Sequence, residues 1–244
     1  MKIALFTIVK NEQVFLPLWY KYYTKQFDPQ DIYVYDNNSD EKYSVPITRN
    51  LESEFSFDHS WLRSMAYKIM AEHLKEYDYV MCVDADEILI PDRRVYTGIH
   101  DYVVKNSKKI LYSTGYEIIS KIKSDPIDFK KSLLQQRENW IKLANFYKPV
   151  LSTVPIKKMY SDYNDSTPAD PDLYLVHLNR IDYKTALLKN QRERSYKWSK
   201  KDLAKTNGWQ HRLPNNKAFN NYYMKIKNSV GVVKPIPNWI KEVI

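Results

Sequence analysis

Three acids stand within four residues at Asp84-Ala85-Asp86-Glu87, directly after the apolar run YVMCV. Carboxylates at the end of a buried strand are costly to desolvate unless a cation or hydrogen bonds compensate them. On an extended chain Asp84 and Asp86 lie about 7 Å apart and share a side. Such a pair offers hard oxygen ligands to a divalent cation, which readily bridges phosphates. One acid can instead accept hydrogen bonds from a ribose, and Glu87 can support the pair or cap the following turn. The plain alternative for a bare D-x-D is a solvated loop with a helix cap. The second chemical feature is His177 in LYLVHLNRID. A histidine inside an apolar strand is either a satisfied core residue or a third ligand for a transition metal such as Mn2+. His59, His73, His100 and His211 have no such setting. No HExxH, nucleophile elbow or zinc-type Cys/His spacing is present.

The elements that must position these residues follow from the hydrophobic pattern. KIALFTIV (Lys2 to Val9) is a short apolar, β-branched run and predicts a buried strand. In FLPLWYKYYTKQF, Leu16, Tyr20, Tyr23 and Phe27 recur at near-helical spacing. DIYVY (Asp31 to Tyr35) predicts a second strand that ends in the turn-forming run Asp36-Asn37-Asn38-Ser39-Asp40. Ser60 to Glu76 predicts a helix with Leu62, Ala66, Ile69 and Leu74 inward, followed by the strand YVMCV. Strand, helix, strand, loop, helix, strand argues for an α/β fold with a mostly parallel central sheet flanked by helices. In such sheets ligands bind beyond the carboxyl ends of the strands. Lys10-Asn11-Glu12, Asp36-Asn37 and Asp84-Ala85-Asp86 all fall there, so one rim should gather them.

Beyond Pro91 the pattern is mixed. Lys108 to Ile122 predicts a strand, and Ser132 to Phe146 a helix or an irregular segment. KPVLSTVPIKKMYS predicts one or two short strands, LYLVHL a strand, and Asp182 to Lys205 a highly charged helix. Without linker, repeat or low-complexity tract, residues 1–244 are expected to form one domain.

Composition narrows the function classes. With 4 glycines and neither GxGxxG nor GxxxxGK[ST], a glycine-rich phosphate loop is excluded. Cys82 is the single cysteine, so no intramolecular disulfide forms, which fits a reducing, cytoplasmic setting. No apolar run approaches the roughly 20 residues of a membrane span. The formal charge of +9 suits a phosphate-bearing, acidic or anionic-membrane partner. Lys and Arg occur all along the chain with no recognition-helix, zinc-finger or RNP-like signature, so nucleic acid is not the expected partner. The helix from Asp182 to Lys205 allows peripheral membrane contact, although its narrow apolar face suits a solvated helix covering the core.

Taken in order, VKNE after the first strand, DNNSD after the second and VDADEILIPD after the third resemble a glycosyltransferase of the GT-A fold. The likeness is to family-2-like enzymes with a D-x-D-E motif, of the kind found in bacteria and large DNA viruses of algae. GYEII, QQRENW, YKP and DLYLVHLNRID continue it to about residue 190. The resemblance implies a nucleotide-diphospho-sugar donor, commonly a UDP-sugar, with Mn2+ or Mg2+, and a glycan hydroxyl as acceptor. It implies a donor-binding half over 1–92, an acceptor half over 93–180 and a C-terminal helix and tail over 181–244. Asp84, with Ala85 beside it, would contact the ribose or metal, Asp86 would ligate the metal, and His177 would reach the metal or diphosphate. Thr7, Val9 and Glu12 would lie by base and ribose, and Asp36 and Asn37 by the uracil. Arg63 would contact the diphosphate or shape the base pocket, and Arg137 and Lys148 would contact diphosphate or acceptor. The resemblance further implies inversion at the anomeric carbon, with Glu117 or, second, Asp162 as the base. The stretch from Lys157 to Asp162 departs from relatives that carry a Gly and a His there. A non-catalytic nucleotide-sugar-binding relative and another metal-dependent nucleotidyl- or phosphoryl-transfer enzyme are the alternatives. The latter usually needs more carboxylates converging on two ions.

Overall fold

The computed structural model describes residues 1–120, 125–143, 148–156, 169–229 and 233–244. It is an α/β protein that divides into two compact units. The first comprises Met1–Glu54, Ser60–Gly115 and Ala144–Val176; the second comprises Phe55–His59, Tyr116–Leu143 and His177–Ile244.

The first unit begins with strand β1 (Ile3–Val9), helix α1 (Phe15–Tyr23) and strand β2 (Ile32–Asp36). A two-residue strand β3 (Arg49–Asn50) precedes helix α2 (His59–His73), strand β4 (Tyr79–Cys82) and strand β5 (Glu87–Pro91). Helix α3 (Ile99–Asn106) leads to strand β6 (Ile110–Ile119), whose first half belongs to this unit. β1 pairs in parallel with both β2 and β4, and β2 in parallel with β3. Strand β8 (Pro149–Ser152) runs antiparallel to both β4 and β6. Strand β9 (Asp170–His177) pairs with β5 and β6. The sheet is therefore mixed: the expected parallel register holds for β3, β2, β1 and β4, and β8 pairs antiparallel with β4 and β6. Among the described residues the link from β6 to strand β7 (Asn139–Lys142) holds a short turn at Leu134–Gln136 and no α-helix, and such a link favours antiparallel pairing.

The packing follows from strand alternation. Ala4 and Phe6 of β1, with Val80 and Cys82 of β4, form one buried cluster with Ala66, Ile69 and Met70 of α2. Cys82 is the buried strand residue its setting predicts, and burial pushes its thiol well above the ordinary range. On α1, Tyr22 donates its hydroxyl to Leu89 O at 2.9 Å, and Leu89 N–H donates to the Tyr23 hydroxyl at 2.9 Å. Those two bonds tie α1 to β5 and satisfy buried phenols.

In the second unit, the end of β6 pairs antiparallel with strand β7 (Asn139–Lys142), and β7 with strand β10 (Val233–Pro235). The segment from Ser132 is thus a short turn over Leu134–Gln136 and a strand, with Trp140 and Ile141 buried. The charged run after Asp182 is two helices, α4 (Tyr183–Arg194) and α5 (Lys200–Ala204). Asp182 caps α4 through Thr185 N–H at 2.7 Å, and Ser199 starts α5 through Asp202 N–H at 3.2 Å. Between them Trp198 turns inward and donates to Glu193 O at 3.1 Å, which breaks the single helix that charge alone suggested. Helices α6 (Asn216–Ser229) and α7 (Asn238–Lys241) complete the tail. α4 and α6 share a small core of Ala186, Leu213, Phe219 and Tyr223.

Leu5 lies at the centre of the parallel strands, opposite Ile32 and Met81, with no exposed surface. Leu5→Ala should cost about 3 kcal/mol in urea unfolding, the usual cost of a buried leucine truncation. A loss under about 1 kcal/mol would mean that this site is not the packed centre of the unit.

Candidate functional site

The rim expected from the sequence exists in the first unit. β1 and β2 are parallel with Val9 opposite Asp36, and β1 and β4 are parallel with Phe6 opposite Cys82. Their carboxyl ends, and the polar residues that follow, point the same way.

The first two turns are knitted together. Asn37 N–H donates to Val9 O at 2.7 Å. Lys10 Nζ donates to Asn37 O at 3.2 Å and to Asn38 O at 2.5 Å. Asn11 donates its side-chain amide to Asp40 at 2.8 Å and accepts from Asp40 N–H at 2.8 Å. Asn11 and Asn38 both have positive φ, 56° and 54°, a conformation asparagine tolerates better than most residues. Asp36 accepts from Ser39 Oγ at 2.5 Å and from Ser39 N–H, and Glu12 N–H donates to the Tyr43 hydroxyl at 3.0 Å. The carboxylate of Asp36 thus shapes its own turn. Asn37 and Val9 are buried, Glu12 is partly exposed, and Thr7 is fully buried on β1. The Thr7 hydroxyl has no hydrogen-bond partner among the described residues. Ser39, Asp40 and Tyr43 are the participants sequence reasoning passed over, although Ser and Asp in a turn signal side-chain-to-backbone bonding.

The acidic turn has a different partner. Lys148, from the stretch before β8, is 8 % exposed and places Nζ 2.6 Å from Glu87 Oε2 and 3.2 Å from Asp84 Oδ2. Glu87, 1 % exposed, also accepts Asp84 N–H at 2.9 Å, while Glu87 N–H donates to Asp84 O at 2.9 Å. The turn is therefore closed in both directions, with Glu87 in the capping role. Burial alone would lower the Lys148 pKa. Attraction by Asp84 and Glu87, with the hydrogen bond to Glu87, outweighs that and raises it above the ordinary lysine range. Lys148, expected to contact diphosphate or acceptor, here pairs with the acids of this turn. Asp86 is buried in the same turn, and Ala85 is buried between the acids. Arg63 is partly buried on α2.

In the second unit Glu117 and His177 form a pair. Glu117 Oε2 lies 2.7 Å from His177 Nδ1, and Glu117 Oε1 accepts Arg180 N–H at 3.0 Å. The Arg180 guanidinium lies 3.9 Å from Glu117 and stacks on the Tyr222 ring at 4.2 Å. Glu117 is 1 % exposed with both oxygens engaged. The role of base stays a proposal for Glu117, and the setting is that of an engaged carboxylate. It suits a carboxylate that holds the His177 ring, with the proton on Nδ1 and basicity directed to Nε2. Arg180 was quoted within HLNRID but given no role. Its readable signal was its place three residues after His177.

Arg137 is a structural residue. Its guanidinium donates to Ile181 O at 2.7 Å, Asp125 O at 2.8 Å, Gln136 O at 2.8 Å and the Asp125 carboxylate at 3.1 Å, at 3 % exposure. These bonds engage four of its five N–H groups, and the expected diphosphate or acceptor contact stays a proposal. Asp162 and the stretch from Lys157 to Asp162 lie outside the described residues. Two histidines passed over in the sequence also have carboxylate partners: His211 Nδ1 is 2.7 Å from Glu193, and His59 Nδ1 is 3.5 Å from Asp202.

Among the described residues no three His, Cys, Asp or Glu side chains gather as a ready-made metal cage. Hard divalent cations are commonly held by one or two carboxylates with a substrate's phosphates completing the shell, so the acidic turn carries the donor atoms such an ion takes. No protein-family model matches the chain, and no curated protein matches it in sequence.

Lys148→Met should leave Glu87 buried without its cation and destabilise the protein by about 3–5 kcal/mol in chemical denaturation. Because the Lys148 pKa is raised on folding, its contribution is complete below the unfolded value of 10.5 and fades as pH rises through the folded one. The gap between wild type and Lys148→Met should therefore be constant from neutral pH to about 10 and narrow above it. A gap that stays constant into strong alkali would contradict the ion pair.

Proposed function

We propose that the chain is a metal-dependent glycosyltransferase of the GT-A type, taking a sugar from a nucleotide-diphospho-sugar such as a UDP-sugar. The observation that carries the reading is the gathering of VKNE, DNNSD and DADE at the carboxyl ends of three adjacent parallel strands. Ligands of open α/β sheets bind at that edge. The ordered likeness of the later segments to family-2-like enzymes supports it.

In this reading Asp84 and Asp86 hold a divalent cation, Mn2+ or Mg2+. That cation would neutralise charge on the departing diphosphate. Lys148 and Glu87 keep the turn in shape so that Asp84 and Asp86 face the donor together. Lys10, Asn11 and Asp40 hold the neighbouring turns in a fixed relation for base and ribose. In the second unit Glu117 orients the His177 ring. The acceptor hydroxyl oxygen forms the new bond to the anomeric carbon, the bond from that carbon to the diphosphate oxygen breaks, and the hydroxyl proton passes to a base. Glu117 and, second, Asp162 are the candidates for that base.

A non-catalytic nucleotide-sugar-binding relative is the second reading. The observation favouring it is the Lys148 ammonium at Asp84, an internal cation already placed beside one of the two acids.

The test is turnover of a nucleotide-sugar panel with Mn2+, read as nucleoside diphosphate release and as sugar transfer. Wild type should turn over at least one donor. Asp86→Ala should lose at least about 100-fold in rate at an unchanged thermal midpoint. Full activity in Asp86→Ala would remove the assignment, and donor binding without any turnover would select the non-catalytic reading. Glu117→Gln should keep donor binding and lose rate, and transfer at a near-normal rate would place the base elsewhere.

A further inference from the structure

Lys and Arg occur throughout the chain, but the acids do not. Residues 183–241 carry fourteen Lys and Arg against two acids, Glu193 and Asp202, giving +12, whereas the whole chain is +9. Both acids are buried. Glu193 meets His211, and Asp202 accepts from His59 N–H at 2.7 Å and from the Asn207 amide at 2.9 Å. The outward charge of this segment is thus almost purely cationic.

The same segment exposes apolar side chains. Leu188 is 55 % exposed, Leu203 46 % and Trp209 53 %, three of the most exposed large apolar residues in the described chain. On α4, Leu188 lies four residues after exposed Lys184, away from the buried residues Ala186, Asn190 and Glu193. Around α5, Leu203 and Trp209 share a short knob with exposed Lys200, Lys201 and Lys205.

The knob is anchored. Gly208 has φ of 64°, and a Cβ there would sit 2.7 Å from the Trp198 ring, so the turn requires glycine and packs against a buried tryptophan. Arg212 donates to Asn207 O at 3.0 Å, and Asn190 donates to Gln210 O at 2.9 Å. The Trp209 ring meets Tyr222 edge to face at 5.3 Å, leaving much of its surface outward. An exposed tryptophan on a fixed turn is held out by the fold.

We propose that the second unit docks onto an anionic lipid bilayer through the exposed Leu188, Leu203 and Trp209 and the exposed lysines of α4 and α5. Basic side chains are attracted to anionic headgroups within a Debye length. Leucine tips enter the acyl boundary, and tryptophan prefers the interface itself. Nucleic acid would use the cations but has no use for two exposed leucines, so the bilayer is the partner that accounts for both features. This surface does not depend on the glycosyltransferase reading.

The experiment is co-sedimentation of the full chain with phosphatidylcholine vesicles, with and without phosphatidylserine. Binding is expected only with phosphatidylserine, and should weaken as salt rises. Lys200→Gln/Lys201→Gln/Lys205→Gln and, separately, Leu203→Ser/Trp209→Ser should each reduce bound protein at least about tenfold at unchanged thermal midpoints. If either multiple variant unfolds, Leu188→Ser is the substitute and should also weaken binding. Lipids brominated in the acyl chain should quench tryptophan emission in wild type, and Trp209→Phe should abolish that quenching while binding persists. Three outcomes overturn the proposal: no binding to phosphatidylserine vesicles, no quenching in wild type, or an oligonucleotide that binds more tightly than vesicles at the same salt.

Discussion

The ammonium of Lys148 lets three acids stand at the end of β4. Glu87 is almost wholly buried, and without a cation 2.6 Å away its charge would have to be neutralised or exposed. The same ammonium reaches Asp84 at 3.2 Å. Around that pair the turn closes on itself through Asp84 N–H to Glu87 and Glu87 N–H to Asp84 O. The chain can then re-enter the core at once as β5, every residue of which is buried. α1 locks onto β5 through Tyr22 and Tyr23. The arrangement divides the acids by role: Glu87 holds the turn, Asp84 is shared between the turn and the edge, and Asp86 follows on the rim. In the proposed glycosyltransferase, the metal pair is placed by an ion pair that is itself part of the fold.

The second unit repeats the logic with different residues. Glu117 is buried and spends its two oxygens on His177 and Arg180. Arg180 in turn stacks on Tyr222, and Tyr223 donates its hydroxyl to Arg180 O at 2.9 Å. Each buried acid is thereby matched by a cation or donor, the condition for keeping charge out of water at tolerable cost. The surface differs: between residues 183 and 241 the two acids, Glu193 and Asp202, are inside and most described lysines are exposed, so the charge presented there is mainly positive.

The strands β1, β2 and β4 were legible because each is a short apolar run closed by a polar turn, and period and length together decide such cases. Gathering their ends on one rim needed only the handedness and parallel order of βαβ units. Beyond Pro91 local pattern was not enough. The segment holding Trp140 and Ile141 has too short an apolar stretch to separate helix from strand, and pairing with β6 and β10 decides it. The helix expected from Asp182 to Lys205 breaks because Trp198 is drawn inward, a tertiary effect that charge content does not record. The site residues divide in the same way. Asp84, Asp86 and Glu87 are adjacent in sequence and announced themselves, whereas Lys148 lies 64 residues from Asp84 and His177 lies 60 from Glu117. Those distant contacts supply the partners of Lys148 and Glu117 that local pattern does not show.

Calorimetric titration of UDP into wild type and Asp86→Ala, each with and without Mn2+, tests the central claim most directly. The account predicts that wild type binds UDP with Mn2+ and loses at least about tenfold in affinity without it, and that Mn2+ gives Asp86→Ala no such gain. UDP binding of equal strength with and without the metal, or an Asp86→Ala variant that responds to Mn2+ as wild type does, would contradict the assignment of the acidic turn.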